Sequence, residues 1–382
     1  MTVTSVVDPE SLGIDAERLD ALRTRARREI DAGFLPSCQF ALARDGRLAA
    51  FETLGAASSD TRYVIFSATK AFVASAAWLL IGEGRLDVTR PVADYVPEFA
   101  SNGKDVVTVE QVMLHTSGFP RAPLGPPGWA DRDGRLAAFA RWRLNWEPGT
   151  AHEYHPTSAH WVLAELIERV SGVDYRDFVH ERVTGPLGLP RVLGIVPDDQ
   201  ADIAELALCG EPASPDELEA IFGVRELPIT EVTDDALLSF NRPDVRAVGV
   251  PGGGGIATAA TVALFYQALL HDRDGLWDRD VLADATGRVR NTFPDALFGG
   301  AAANRGLGVV IAGDDGKANW RGFGHTQSAR TFGHNGAAGQ VAWADPESGL
   351  SFCYLTNGRD LNPIREGRRS IGLSSRAAVC AN

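Results

Sequence analysis

Lys70 is one of three lysines in a 382-residue chain that otherwise carries its positive charge on arginine. It stands at the head of an apolar run, Ala71 to Ile81, with the pattern of a buried helix. Arginine cannot give up its proton, whereas a lysine taken out of water can have its pKa lowered and act as a base. Ser67 lies three positions earlier, so on a helix the two side chains share one face. Ser67 would also sit at the helix N-terminus, where free N–H groups and the dipole favour developing negative charge. A hydroxyl beside an amine able to take its proton is a nucleophilic acyl-transfer arrangement. The bland alternative is that Ser67 caps the helix and Lys70 snorkels from its first turn, because S-x-x-K spacing is frequent by chance.

Two further segments weigh against chance. Trp146-Glu147-Pro148-Gly149-Thr150 reads as a turn that delivers Tyr154 just before a helix at Trp161, and His334-Asn335-Gly336 falls on an expected strand near the C-terminus. Taken in order, the landmarks are Tyr63-Val64-Ile65-Phe66 leading into Ser67-Ala68-Thr69-Lys70, then Leu114-His115-Thr116-Ser117-Gly118, Pro148-Gly149-Thr150 up to Tyr154, Gly252 to Thr258, and His334-Asn335-Gly336. This order resembles the serine β-lactamase-like group: class C β-lactamases, D,D-carboxypeptidases and family VIII carboxylesterases. S-x-x-K followed by K-T-G is a signature of lactamases and penicillin-binding proteins. His334-Asn335-Gly336 stands in the K-T-G place, a variant familiar among the esterases. The resemblance covers most of the chain, from the first helix through the last hairpin.

Carried over residue by residue, the resemblance implies that Ser67 Oγ attacks an acyl carbonyl and forms an acyl-enzyme. Lys70 would lower the cost of deprotonating Ser67, directly or by keeping Tyr154 anionic; the sequence leaves open which of the two is the base. Tyr154 would pass the proton to the leaving group and then activate water or an alcohol. The backbone N–H groups of Ser67 and Ala337 would form the oxyanion hole, and His334, Asn335 and Gly336 would bind substrate, with Gly336 letting it lie close along the chain. Two departures bear on specificity. The run Tyr154-His155-Pro156 replaces the family's Y-x-N or Y-x-S, and proline offers no side-chain hydrogen bond. His334 replaces a lysine whose fixed charge suits the carboxylate of β-lactams, and an unperturbed histidine is mostly neutral at pH 7. Both departures favour neutral esters or amides.

The elements that must hold these residues follow from periodicity. Asp15 caps a helix to about Ala32 with Leu19, Leu22, Ala26 and Ile30 at helical spacing. Alternating strands over Cys38–Arg44 and Leu48–Leu54 are joined by Asp45-Gly46, a hairpin signal. A helix from about Ala68 to Glu83 is apolar nearly all round and belongs in an interior. Helices are also expected over Trp161–Val170, ending before Gly172, and over Thr258–Leu270 after the glycine run 252–255. Alternation returns at Leu307–Ile311, Ala329–Gly333, Gln340–Ala344 and Leu350–Leu355, the last pair joined across Asp345–Gly349. Strands at both ends with helices between predict an α+β fold: an antiparallel sheet flanked by helices, with a mostly helical second domain. The expected division is 1–84 with 250–382 as the sheet domain and 85–249 as the helical domain, with a cap-like insertion around 209–246.

A net charge of −13 repels phosphate backbones and anionic lipid headgroups, so neither nucleic acid nor membrane is an expected partner. The expected partner is a small ester or amide, with an acyl acceptor possible in principle. No cofactor is expected. Cys38, Cys209, Cys353 and Cys380 lack metal-like spacing and read as ordinary thiols. His152, His155 and His160 match no ligand motif, so no metal is expected and hydrogen-bonded or solvent-facing histidines are the favoured reading. Residues 252–255 are no phosphate loop, because no Gly-Lys-Ser/Thr follows, and Ser117-Gly118 is no nucleophile elbow, because the chain has no G-x-S-x-G. Trp129, Trp142 and Trp146 are candidates for an acyl pocket, with core packing the commoner role. The opening residues show no export leader, so a cytoplasmic protein is expected. The leading function is a serine hydrolase of small esters or amides. Its rivals are a biosynthetic acyltransferase using the same acyl-serine, a β-lactamase or D,D-peptidase, and a non-catalytic binding protein.

Overall fold

The computed structural model describes residues 5–227 and 232–381. Helix α1 (Ala16–Asp31) begins where the Asp15 carboxylate accepts from Arg18 N at 2.9 Å. The hairpin follows as β1 (Ser37–Arg44) and β2 (Arg47–Gly55), with Asp45 and Gly46 both at positive φ, as a two-residue turn matched to strand twist requires. Helix α2 (Thr69–Gly82) and helix α3 (Ser158–Ser171) are the buried and amphipathic helices expected from periodicity, α3 ending at Gly172 with φ 78°. Helix α4 (Ala259–His271) is capped by Thr258. Then come β3 (Val310–Ile311), β4 (Phe332–Gly333), β5 (Val341–Asp345), β6 (Leu350–Thr356) and helix α5 (Pro363–Ala378).

The six strands form one antiparallel sheet in the order β2-β1-β6-β5-β4-β3. Strand β1 is second from the edge and lies between β2 and β6, with Phe40 opposite Glu52 on one side and Tyr354 on the other. Its alternation separates two kinds of side chain, and both faces are covered. Phe40, Leu42, Trp343, Phe352 and Tyr354 pack with Leu19, Leu22 and Ala26 of α1 and with Leu373 and Ala377 of α5. On the other face Ala41, Ala43, Ala342 and Ala344 are small, and that lets α4 and then α2 come close. Phe72 of α2 stacks on Phe265 of α4 with centroids 3.9 Å apart. Because α2 is buried between α4 and the helices around α3, nearly every residue of it is apolar.

Three differences from the sequence-based expectation have local causes. Strands β3 and β4 are two residues each. Gly308 at φ 87° turns the chain just before β3, and Thr331 N bonds to Ser328 O in a turn before β4. Helix α5 was not expected; Asn362 caps it by accepting from Ile364 N and Arg365 N, and its fully buried Arg369 bonds to Asp360. In the stretch expected as a cap, residues 228–231 lie outside the described residues. Its helix Asp234–Leu238 and the turn after it place Leu237 and Phe240 against Phe66 and Ala338. No helix among the described residues is long and apolar enough to cross a membrane.

Candidate active site

Ser67 sits in a short 3-10 turn, Phe66–Ala68, that runs directly into α2. Phe66 holds φ at 44°, an unfavourable backbone for a bulky residue, and its ring is locked edge-on against Phe240 at 5.7 Å. That kink aims the half-buried Ser67 out of the turn while Lys70, one turn on, is fully buried. Lys70 Nζ is 3.2 Å from Ser67 Oγ, and it donates to Pro156 O at 2.7 Å and Gly252 O at 2.6 Å. Gly252 is needed for this approach, since a Cβ there would stand 2.8 Å from Pro156 O. The glycine run is tied to α2 through Gly255 N, which donates to Thr69 Oγ1 at 2.8 Å.

Tyr154 arrives from the loop before α3, and its OH donates to Ser67 Oγ at 2.9 Å. Burial pushes this phenol up to about 12, although the nearby Arg305 charge and the Ser67 hydrogen bond pull the other way. Burial, and secondarily Arg305, drives Lys70 well below the ordinary lysine range. A neutral amine has two N–H groups and one lone pair. Two carbonyls take the N–H groups of Lys70, and the remaining direction faces Ser67 Oγ.

His334, Asn335 and Gly336 follow β4 and do not continue it as a strand, which corrects the expected placement. Asn335 Oδ1 accepts from Ala342 N at 3.0 Å, replacing a ladder bond, and Gly336 N donates to Gln340 O at 3.1 Å to close a tight hairpin. Asn335 Nδ2 donates to Gly322 O, so both ends of that amide hold main chain. His334 N donates to Tyr266 OH of α4, and its Nδ1 is 2.9 Å from Asn335 O. A carbonyl only accepts, so Nδ1 carries the hydrogen and Nε2 is left as a bare acceptor with no partner among the described residues. Burial, then Lys70 and Arg305, keep His334 well below the ordinary histidine range and therefore neutral.

Gly336 presses on the catalytic turn, where a Cβ would stand 2.2 Å from Ile65 O. The next residue, Ala337, packs in the cluster that contains Phe66. Among the described residues neither Ser67 N–H nor Ala337 N–H has an acceptor. Ser67, Lys70, Tyr154, His334 and the 336–337 hairpin are thus brought together from three separate stretches of chain.

A family model described as Beta-lactamase matches residues 22–374. The chain belongs to the β-lactamase family. Its fold is the α+β fold of that family, and it is a serine hydrolase by membership. This β-lactamase-family chain is 28% identical to the esterase/beta-lactamase LipL of Mycobacterium tuberculosis over 80% of its own length and 71% of that protein. A solved family VIII carboxylesterase superposes with a TM-score of 0.77 at 26% identity, covering 96% of this chain and 99% of the other. A penicillin-binding protein homolog from Caulobacter crescentus gives a TM-score of 0.76 at 28% identity, with 96% and 99% covered.

The histidines around Tyr154 in this β-lactamase-family chain are buried and do not face solvent; His152 and His155 are hydrogen-bonded, whereas both ring nitrogens of His160 lack a partner among the described residues. His155 Nδ1 donates to Glu153 O at 2.6 Å, and its Nε2 accepts from Phe119 N at 3.2 Å. His152 lies 3.2 Å from Asp295 Oδ2 and 3.0 Å from Asn291 Nδ2. His115, noted only as part of a loop landmark, has its ring 4.9 Å from that of Tyr154. Trp142 is buried and lines a separate cavity of about 310 Å³ with Arg121, Arg141 and Arg143; Trp129 packs on Trp161 and Trp146 on His155. Asp295 and Arg305 beside the site were missed, because an isolated acid or arginine far from any motif carries no sequence signal.

Proposed function

We propose that this chain hydrolyses neutral carboxylic esters through an acyl-Ser67 intermediate. The observation that carries the reading is the convergence of Lys70 Nζ at 3.2 Å and Tyr154 OH at 2.9 Å on one serine oxygen. Ser67 Oγ attacks the acyl carbonyl and its proton passes to the neutral Lys70. The tetrahedral oxyanion is met by the free N–H groups of Ser67 and Ala337, donors fixed in place before charge develops. Tyr154 OH, which stays protonated, gives its proton to the departing alkoxide and regains one from Lys70. Water then enters along the alcohol's path and reverses these transfers to release the acid. Asn335 shapes the loop, and His334 Nε2 accepts a hydrogen bond from substrate or water. A neutral acceptor does not attract a carboxylate, so the site favours uncharged acyl groups over β-lactams. The esterase named among its relatives and the carboxylesterase with its fold support the same substrate class.

The test is Ser67→Ala against short p-nitrophenyl esters, with a fluorophosphonate probe on the unaltered protein. Loss of turnover and a single adduct on Ser67 are expected; undiminished hydrolysis by the alanine variant would reject the proposal.

A further inference from the structure

Arg305 has no part in the mechanism above, yet it is driven into the same site. Its main chain bridges to Asn291 and Val310, and the residue is 3% exposed. Its guanidinium centre lies 5.0 Å from the Tyr154 ring centroid, the same distance as Lys70 Nζ. Its Nε and Nη1 are buried without a hydrogen-bond acceptor, and it forms no ion pair among the described residues. Asp295, the acid it senses, is bonded to His152. A buried cation left so poorly compensated opposes folding, and such placements cluster where charge is used in chemistry.

The groups facing Tyr154 can be counted by charge. Ser67 is neutral. The rings of His115 and His334 lie 4.9 and 5.9 Å away, and burial holds both neutral. Lys70, which also faces His160, is driven toward its neutral form. Asp295 acts on the phenol from further off, opposing Arg305. Arginine keeps its proton, so Arg305 is the permanent cation of this set.

We propose that Arg305 is a positioning residue that fixes the resting proton arrangement of the Ser67–Lys70–Tyr154 site by holding a permanent charge against the Tyr154 ring. Positive charge there opposes a second cation on Lys70 and favours electron density on the Tyr154 oxygen, whichever of the two takes the serine proton. The proposal rests on the acyl-Ser67 reading for its purpose, though one of its tests needs no turnover.

Arg305 and Lys70 each stand 5.0 Å from one centroid, so they are at most about 10 Å apart. At an effective dielectric of about 20, a unit charge at that range moves a titration by about one pH unit. Arg305→Gln should therefore move the acid limb of the kcat/KM profile up by about one pH unit, because losing a neighbouring cation raises the pKa of Lys70 and of Tyr154 alike. A limb that stays put in folded Arg305→Gln overturns the proposal.

The second test labels lysine with ¹³C at Cε, which gives three signals, the Lys70 one assigned by its loss in Lys70→Arg. Lys70 should titrate well below the ordinary lysine range in the unaltered protein, and its midpoint should rise in Arg305→Gln. If Arg305→Gln gives no folded protein, the unaltered protein decides: a Lys70 midpoint within the ordinary lysine range overturns the proposal. An unmoved Lys70 signal in an active enzyme refutes the Arg305 role alone, whereas absent Ser67 labelling with a shifted Lys70 signal refutes only the hydrolase reading.

Discussion

Gly336→Ala tests whether the hairpin after β4 is part of the oxyanion site. A Cβ at 336 would stand 2.2 Å from Ile65 O, where real contacts do not fall below 3.0 Å, so the two segments must part by about 0.8 Å. Ile65 is held by its N–H bond to Gly255 O at 2.9 Å, and Gln340 Cβ, 3.0 Å from the new methyl, blocks sideways escape. The hairpin must therefore be the part that moves. An N–H donor set about 2.9 Å from an oxyanion would retreat to about 3.7 Å, beyond a useful hydrogen bond. Loss of one such donor costs about 2.7–4 kcal/mol, or about 10²- to 10³-fold in kcat. KM should change little, because the donor is used chiefly in the transition state. The assay is kcat and KM on short p-nitrophenyl esters at constant pH, with thermal unfolding to confirm the fold. Gly367→Ala in α5, where a Cβ meets nothing within 4 Å, is the matched control and should retain full activity. If Gly336→Ala keeps kcat within about threefold of the unaltered protein, a donor at Ala337 is not used.

Three further outcomes are expected. Lys70→Arg should lower kcat by about 10²- to 10⁴-fold, because a guanidinium cannot take the serine proton; near-normal rates would remove Lys70 from the proton path. His155, buried and depressed to about 3, must stay neutral in the fold while the unfolded residue titrates near about 6.5. Its contribution is present above about pH 6.5 and is lost as pH falls toward 3, at about 1.4 kcal/mol per pH unit. Urea midpoints should thus fall between pH 6.5 and 4.5, and less steeply in His155→Gln; equal slopes would contradict this. Phe72→Ala removes a fully buried ring stacked on Phe265 and should cost about 3–5 kcal/mol in denaturant unfolding, with a loss under about 1 kcal/mol ruling out a tight contact there.

Ser67, Lys70 and Tyr154 were legible because each stands out by type and setting: a rare lysine on an apolar helix, a serine one turn before it, and a tyrosine behind a Pro-Gly turn. The sheet's long strands and α1 to α4 were legible because their periodicity is strong. Helix α5 was not, because its glycines and serines (Gly367, Gly372, Ser370, Ser374) are poor helix formers that interrupt its apolar face. Nor was the hairpin conformation of His334–Gly336, since the bond from Ala342 N to the Asn335 side chain that ends the strand is a tertiary contact. Arg305 was invisible for a different reason. An arginine that acts through its position is indistinguishable, in a chain rich in arginine, from one that merely faces water.

The place of β1 between β2 and β6 sets the order in which this protein can be assembled. Its partner β6 is synthesised some three hundred residues later; the bond from Ser37 to Asn357 alone spans 320 positions. Until that segment has left the ribosome, one edge of β1 has nothing to pair with, and Ser67 can be present in the nascent chain while its oxyanion hairpin does not yet exist. Such distant pairing makes folding slow and leaves a sticky intermediate. Nucleophilic reactivity should therefore switch on late and all at once, when the end of the chain closes over its beginning.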